Sequence, residues 1–283
     1  MKPLRFLHIP KTAGSTLIYI LQRQFSGEIE FVFHGDIVSD TEKFDALSEN
    51  DRGNVMLFTG HAPIRTGIKR ADNATTITLL RDPISRVKSF CQHVSEGKSP
   101  YISDDFPSGI FCLDDLLESG NEELSNLQTK MLINHGSCAS PRLLDTMPPS
   151  EAIASATDNL FNSVSHFGLL EYFDESMIIF SSGLKWKMPF YVSQNRKDKC
   201  KLVQFEQRHL RRIMELNFID LEVYGIAKER FISMLETDEF DQKKLLRFQQ
   251  INKYRSHAIN SGRRVIGVVR HWIKPKFPLR RRR

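Results

Sequence analysis

The stretch Phe6-Leu7-His8-Ile9-Pro10-Lys11-Thr12-Ala13-Gly14-Ser15-Thr16-Leu17 constrains this chain more than any other. Apolar residues run into a turn holding a lysine, a glycine and hydroxyls, and helical periodicity follows at once. A strand that ends in such a turn and opens a helix points backbone N–H groups and the positive end of a helix dipole at one spot. Lys11 adds a full charge there, so the turn predicts an anion cradle. Lys11 precedes Gly14, and no glycine opens the loop, so this is not the phosphate loop G-x-x-x-x-G-K-[ST].

Strand-like runs recur at Leu4–Ile9, Val55–Thr59, Thr75–Leu80 and Val164–Leu169. Helical periodicity follows the first and third. Further helices are expected over Leu113–Glu118, Glu122–Asn134, Ser150–Asn162, Phe173–Ser182, Gln204–Asn217, Asp220–Glu236 and Asp241–Ile259. Strands alternating with helices predict an α/β fold, a parallel sheet with helices on its faces, and a helical C-terminal part. Segments 96–111 and 136–149, rich in Gly, Pro, Ser and Asp, read as loops of the kind that wall a substrate site.

The net charge of +6 is concentrated. Residues 263–283 carry nine basic side chains and no acid, and without them the chain holds 31 basic against 34 acidic residues. The basicity is therefore a tail and not a nucleic-acid-binding face. We expect a main domain over 1–260 and a basic amphipathic tail over 261–283. Its Trp272-Ile273 and flanking arginines suit an anionic membrane surface, with a solvated tail or a docked helix as the alternatives. Cys91, Cys112, Cys138 and Cys200 are scattered without a C-x-x-C pair and read as free thiols. No apolar run reaches the roughly 18 residues of a membrane span, and Met1 to Arg5 leaves no room for a signal peptide. These features lead us to expect a cytoplasmic protein, peripheral at the membrane if the tail binds there.

A second segment, Leu79-Leu80-Arg81-Asp82-Pro83-Ile84-Ser85-Arg86-Val87-Lys88-Ser89-Phe90, joins a buried-type strand to a helix. Asp82 suits the N-cap and Pro83 the first helical position. Ile84, Val87, Cys91 and Val94 form an apolar stripe, whereas Arg86, Ser89 and His93 share another face. Arg81 and Ser89 can then converge beyond the strand's carboxyl end, where open α/β sheets bind ligands. An arginine fork with a hydroxyl suits a phosphate, while an ordinary surface ion pair is the plain alternative.

Taken together, F-L-H-I-P-K-T-A-G-S-T-L and L-L-R-D-P-I-S-R-V-K-S-F resemble the two nucleotide-binding signatures of the sulfotransferases. The likeness is greatest to the branch with the heparan sulfate 2-O- and 6-O-sulfotransferases and their bacterial relatives. Weaker echoes continue at Asn126-Leu127-Gln128-Thr129-Lys130-Met131-Leu132 and Phe167-Gly168-Leu169-Leu170-Glu171-Tyr172-Phe173. The resemblance implies a P-loop-like fold and 3′-phosphoadenosine 5′-phosphosulfate (PAPS) as co-substrate. It implies that Lys11, Thr12, Ala13, Gly14, Ser15 and Thr16 surround the 5′-phosphosulfate, and that Arg81 and Ser89 take the 3′-phosphate. It also implies a hydroxyl of a carbohydrate acceptor, either a polysaccharide or a glycolipid precursor. The transferable sulfuryl group is singly charged, so no metal is required.

Lys11 suits the charge that grows on the leaving phosphate oxygen. The acceptor hydroxyl needs a general base, and among nine histidines His61 stands out. It ends the strand-like run Leu57-Phe58-Thr59-Gly60-His61, where it would face the same crevice. The resemblance implies the same role, because a histidine upstream of R-D-P serves as base in the family. A loop-stabilising histidine is the alternative reading, and His34 is the reserve candidate for base. His8 reads as a satisfied core residue within the first strand, and His93 as structural or exposed. Arg196 and Lys197 in the polar loop 193–199 are candidates to return to the 3′-phosphate, or simply exposed. Gln128 and Lys130 read as helix-surface residues by default, with a place lining the site as the alternative. Two other classes remain open: a Mg²⁺-dependent P-loop kinase, and a non-catalytic, membrane-associated nucleotide-binding module.

Overall fold

The computed structural model describes residues 2–97, 106, 112–133, 143–191 and 203–265, with 143 and 256–265 described by backbone alone. Arg196, Lys197, Cys138, Cys200, residues 266–283 and much of segments 96–111 and 136–149 lie outside the described residues. Among the described residues, no helix is long and apolar enough to cross a membrane, and Cys91 and Cys112 are free.

Five parallel strands make the sheet: β1 (Leu4–Leu7), β2 (Ile29–His34), β3 (Val55–His61), β4 (Thr75–Leu80) and β5 (His166–Leu169). Their order is β2-β3-β1-β4-β5, so β1 lies at the centre with β3 and β4 beside it. Parallel strands align their carboxyl ends on one edge, and a ligand crevice forms where successive connections leave in opposite directions. Chain that follows β1, β3 and β4 therefore meets at one place.

Helices cover both faces, as an all-parallel sheet requires. On one face α1 (Gly14–Gln24) brings Leu17, Ile20 and Leu21 against Leu4, Phe6, Leu57, Ile77 and Leu79. Met177, Ile178 and Phe180 of α10 (Phe173–Gly183) and Leu245 and Phe248 of α13 (Gln242–Val265) complete that layer. On the other face, α2 (Ile37–Asp45) and α4 (Lys69–Asp72) enclose Phe31, Phe33 and Phe58. There α7 (Leu127–Ile133), α9 (Pro149–Asp158) and α12 (Phe218–Leu235) pack over Leu7, Leu80 and Leu169. Helices α3 (Glu49–Asn54), α5 (Pro83–Ser95), α6 (Leu113–Glu118), α8 (Leu143–Thr146) and α11 (Gln207–Leu216) are the other α-helices among the described residues. Val87, Phe90 and Cys91 of α5 pack with Leu116 of α6 and Ile213 of α11.

Four of the five strands coincide with strand-like runs in the sequence, and β2 was not anticipated. Its Ile-Glu-Phe-Val-Phe-His does alternate, with Phe31 and Phe33 buried and Val32 and His34 exposed, as an edge strand does. The helix expected over Glu122–Asn134 is divided into a 3₁₀ turn, Glu122–Leu124, and α7. Asn126 between them has φ 45 and caps α12 by accepting from the N–H groups of Ile219 and Asp220. That left-handed residue replaces one continuous helix with two that turn toward the C-terminal part.

Candidate active site

The chain leaves β1 in a turn that holds two non-glycine residues in the left-handed region, Lys11 at φ 70 and Ala13 at φ 68. Each costs about 1–3 kcal/mol and persists only where surrounding structure enforces it, as at ligand-binding turns. The first backbone bonds of α1 run from Thr16 and Leu17 to the Ala13 carbonyl. The N–H groups just ahead of them, those of Gly14 and Ser15, belong to the orphan donors of a helix N-terminus and suit an anion. Thr12 is fully buried and turns its hydroxyl inward to the Ile9 carbonyl at 2.8 Å, which holds the turn closed. Gly14 is required by packing, because a Cβ there would fall on the His8 imidazole.

His8 stands just past the end of β1, not within it, and it is more than a core filler. Its ring stacks on Phe6 at 5.2 Å and meets the His61 ring at 4.3 Å, centroid to centroid. Burial, the neighbouring His61 and the Lys11 charge push its pKa down to about 3. His61 closes β3, and Gly60 before it has φ 100 with no room for a Cβ, which would strike the Phe33 carbonyl. Only glycine accepts both conditions, and it turns His61 toward β1. His61 Nδ1 lies 2.9 Å from the His8 carbonyl oxygen. A carbonyl only accepts, so Nδ1 carries the proton and Nε2 of the neutral ring holds the lone pair. Burial lowers the His61 pKa further than the carbonyl bond raises it, and the Lys11 charge also lowers it.

Arg81 follows β4, and its Nη1 donates to the Lys11 carbonyl at 2.9 Å, tying the two sequence segments together. Its Nε is buried and has no hydrogen-bond partner among the described residues. Burial lowers the Arg81 pKa against the opposing pull of Glu171 and Asp82. Asp82 caps α5 through Ser85 N–H (2.8 Å), with Pro83 behind it, as the sequence anticipates. Ser89 is half-buried on α5, and so is His93. Arg86 departs from the expected polar face: it is fully buried and donates through Nη2 to the Glu123 carbonyl. Glu123 also brings a carboxyl near Lys11 and Arg86, whose charges oppose the rise in pKa that burial causes. His34 is in register with His61 on β2, and its imidazole is paired with the buried Asp40 at 3.2 Å.

Gln128 and Lys130 are buried, not on a helix surface. The Gln128 amide accepts from Arg81 N–H (2.9 Å) and donates to the Arg81 carbonyl (2.8 Å). Glu171 accepts from Asp82 N–H at 3.0 Å. Both residues lie within the weaker sequence echoes, but periodicity assigns a polar residue on a helix to solvent. Only the neighbouring strand end shows otherwise. The structure thus gathers Lys11, the α1 N-terminus, His61 and Arg81 at the ends of three adjacent central strands.

No protein-family model matches the chain. Heparan-sulfate 6-O-sulfotransferase 2 of Gallus gallus is 24% identical over 321 residues, covering 94% of this chain and 79% of that protein. Heparan-sulfate 6-O-sulfotransferase 3-B of Danio rerio is 27% identical, covering 80% of this chain and 63% of its own length. For heparan-sulfate 6-O-sulfotransferase 3 of Homo sapiens, at 26% identity, the shares are 55% and 37%. The chain thus spans less than two thirds of the latter two. The parallel sheet, the two turns that meet at its central strand ends and relatives that match over most of the chain together support the sulfotransferase family for this chain.

Proposed function

We propose that the chain moves a sulfuryl group from PAPS to a hydroxyl of a carbohydrate acceptor, such as a polysaccharide or a glycolipid precursor. The relatives carry heparan sulfate in their names and support a glycan acceptor. One observation carries the reading: a neutral, tautomer-fixed histidine, a loop lysine and a partly buried arginine sit at the ends of β3, β1 and β4. The residues present fit the donor, since the buried Arg81 Nε lacks a partner and the α1 N-terminus presents orphan amides.

In this reading His61 Nε2 takes the acceptor's proton as the oxygen attacks sulfur in line. The S–O bond to the phosphate breaks, and its electron pair goes to the phosphate oxygen. Lys11 and the orphan N–H groups of Gly14 and Ser15 stabilise that charge where it develops, within the turn formed by residues 11–16. Arg81, with Ser89, holds the 3′-phosphate, and adenosine 3′,5′-bisphosphate leaves. The charge pattern of the tail supports a cytoplasmic enzyme resting on an anionic membrane, which sedimentation with phosphatidylglycerol vesicles tests.

Calorimetry with adenosine 3′,5′-bisphosphate is the direct test. Binding is expected, together with transfer of labelled sulfate from PAPS to glycan acceptors. An intact chain that binds no bisphosphate but turns over ATP with Mg²⁺ overturns the reading in favour of a kinase.

A further inference from the structure

Arg81 and Asp82 lie between the end of β4 at Leu80 and the start of α5 at Pro83. The Asp82 carbonyl accepts the first bond of α5 from Arg86 N–H at 2.9 Å, but neither helix nor ladder supplies partners for the Arg81 N–H and carbonyl or for the Asp82 N–H. Side chains supply them. The Arg81 N–H and carbonyl are both taken by the Gln128 amide, at 2.9 and 2.8 Å. The Asp82 N–H is taken by Glu171 Oε1 at 3.0 Å.

Each of these residues is in turn held from α12, Gln128 by its backbone and Glu171 by its carboxylate. Asp220 Oδ2 accepts from Gln128 N–H at 3.1 Å. Its Oδ1 accepts from Thr129 N–H at 2.7 Å and from the Thr129 hydroxyl at 2.6 Å. One turn on, the Tyr224 hydroxyl donates to Glu171 Oε2 at 2.8 Å. Residues four apart share a helix face, so one face of α12 reaches both bonds of a single turn.

We propose that Gln128 and Tyr224 are positioning residues for nucleotide recognition: α12, through Asp220–Gln128 and Tyr224–Glu171, fixes the peptide from which Arg81 aims its guanidinium at the 3′-phosphate. The inference rests on the reading of Arg81 given above. An arginine side chain is long and flexible, and its fork binds phosphate well only when its base is held. Two arms from one helix hold that base from both sides, while the Lys11 carbonyl steadies the guanidinium itself. The C-terminal helical part thereby serves the nucleotide end of the sheet and not the core alone.

The test compares adenosine 3′,5′-bisphosphate with adenosine 5′-phosphate, which lacks only the 3′-phosphate, by calorimetry on the full chain. Arg81→Ala is the benchmark and is expected to weaken bisphosphate binding by roughly ten- to a hundredfold while leaving the monophosphate within about twofold. Gln128→Leu is expected to weaken bisphosphate binding about tenfold, and Tyr224→Phe about threefold, again sparing the monophosphate. Tyr224→Phe removes one oxygen only and decides the matter if Gln128→Leu does not fold. If Arg81→Ala leaves the discrimination intact, the reading of Arg81 fails and this inference with it. If Arg81→Ala abolishes discrimination but Gln128→Leu and Tyr224→Phe keep it, or weaken both nucleotides equally, the positioning role alone is overturned.

Discussion

His61 Nδ1 donates to the His8 carbonyl oxygen at 2.9 Å, and the two imidazoles face each other at 4.3 Å. One residue thus sets both the tautomer and the surroundings of the other. Burial and the Lys11 charge lower the His61 pKa from its ordinary 6.5, so the ring is neutral at pH 7 and ready to accept a proton. The acid limb of kcat/KM against pH is expected to have its midpoint below 6.5. His61→Gln is expected to lose about 10²–10⁴ in kcat with bisphosphate affinity within about twofold. A variant that keeps wild-type kcat would remove His61 from the mechanism and leave His34 as the remaining base.

The half-buried His8, enclosed by Phe6 and His61, makes stability depend on pH. Its folded pKa is about 3 against 6.5 for the ordinary imidazole, so between these values the unfolded chain binds the extra proton. The His8 contribution is therefore fully present above pH 6.5 and is lost as pH falls toward 3. His8→Phe keeps a ring between Phe6 and His61 and removes the titration. Urea midpoints measured from pH 7.5 to 4 are expected to fall less steeply in His8→Phe than in the wild type. Equal slopes would show that other groups dominate the acid limb.

Gly60 meets two conditions at once, a φ of 100 and a backbone that touches the Phe33 carbonyl. Gly60→Ala is expected to cost about 1–3 kcal/mol in strain alone, with the steric overlap added to it. Urea unfolding would report the loss, and kcat is expected to fall beyond what the loss of folded protein explains, because His61 is the next residue. A stable, fully active Gly60→Ala would show that the strand end yields freely.

The sheet was legible because four of its strands are buried runs that each feed a turn or helix. Strand β2 was less so, since its phenylalanines alternate with exposed residues on an edge and no crossover pattern marks it. The turn after β1 is marked in the sequence by Lys11 and Gly14, and the end of β3 by Gly60-His61, because local backbone and packing demands leave residue signatures. Gln128, Glu171 and Tyr224 left no such signature. Their partners lie 47, 89 and 53 residues away in sequence, and only the tertiary fold makes a helix-borne glutamine the partner of a strand end. The apolar run through Ile9 extends the strand over His8 in the sequence, whereas the ladder stops at Leu7.

The loop behind His61 hangs on a buried arginine. Arg5, almost fully enclosed in β1, donates to the carbonyls of Pro63 and Ile64 and lies 3.4 Å from Asp72. Asp72 also accepts from Thr66 N–H, the Thr66 hydroxyl and Gly67 N–H, closing the turn that follows β3. Removing one partner of a buried ion pair typically costs about 3–5 kcal/mol, and the partial exposure of Asp72 brings the expected loss in Asp72→Ala nearer to about 2–3 kcal/mol. Arg5→Leu removes the charge together with its donors, and the strand carries apolar neighbours that accept leucine. A double-mutant cycle in urea is expected to show coupling, with Arg5→Leu/Asp72→Ala less destabilised than the sum of the single variants. Strict additivity would mean that Asp72 acts on the turn alone and that the ion pair holds nothing at the site.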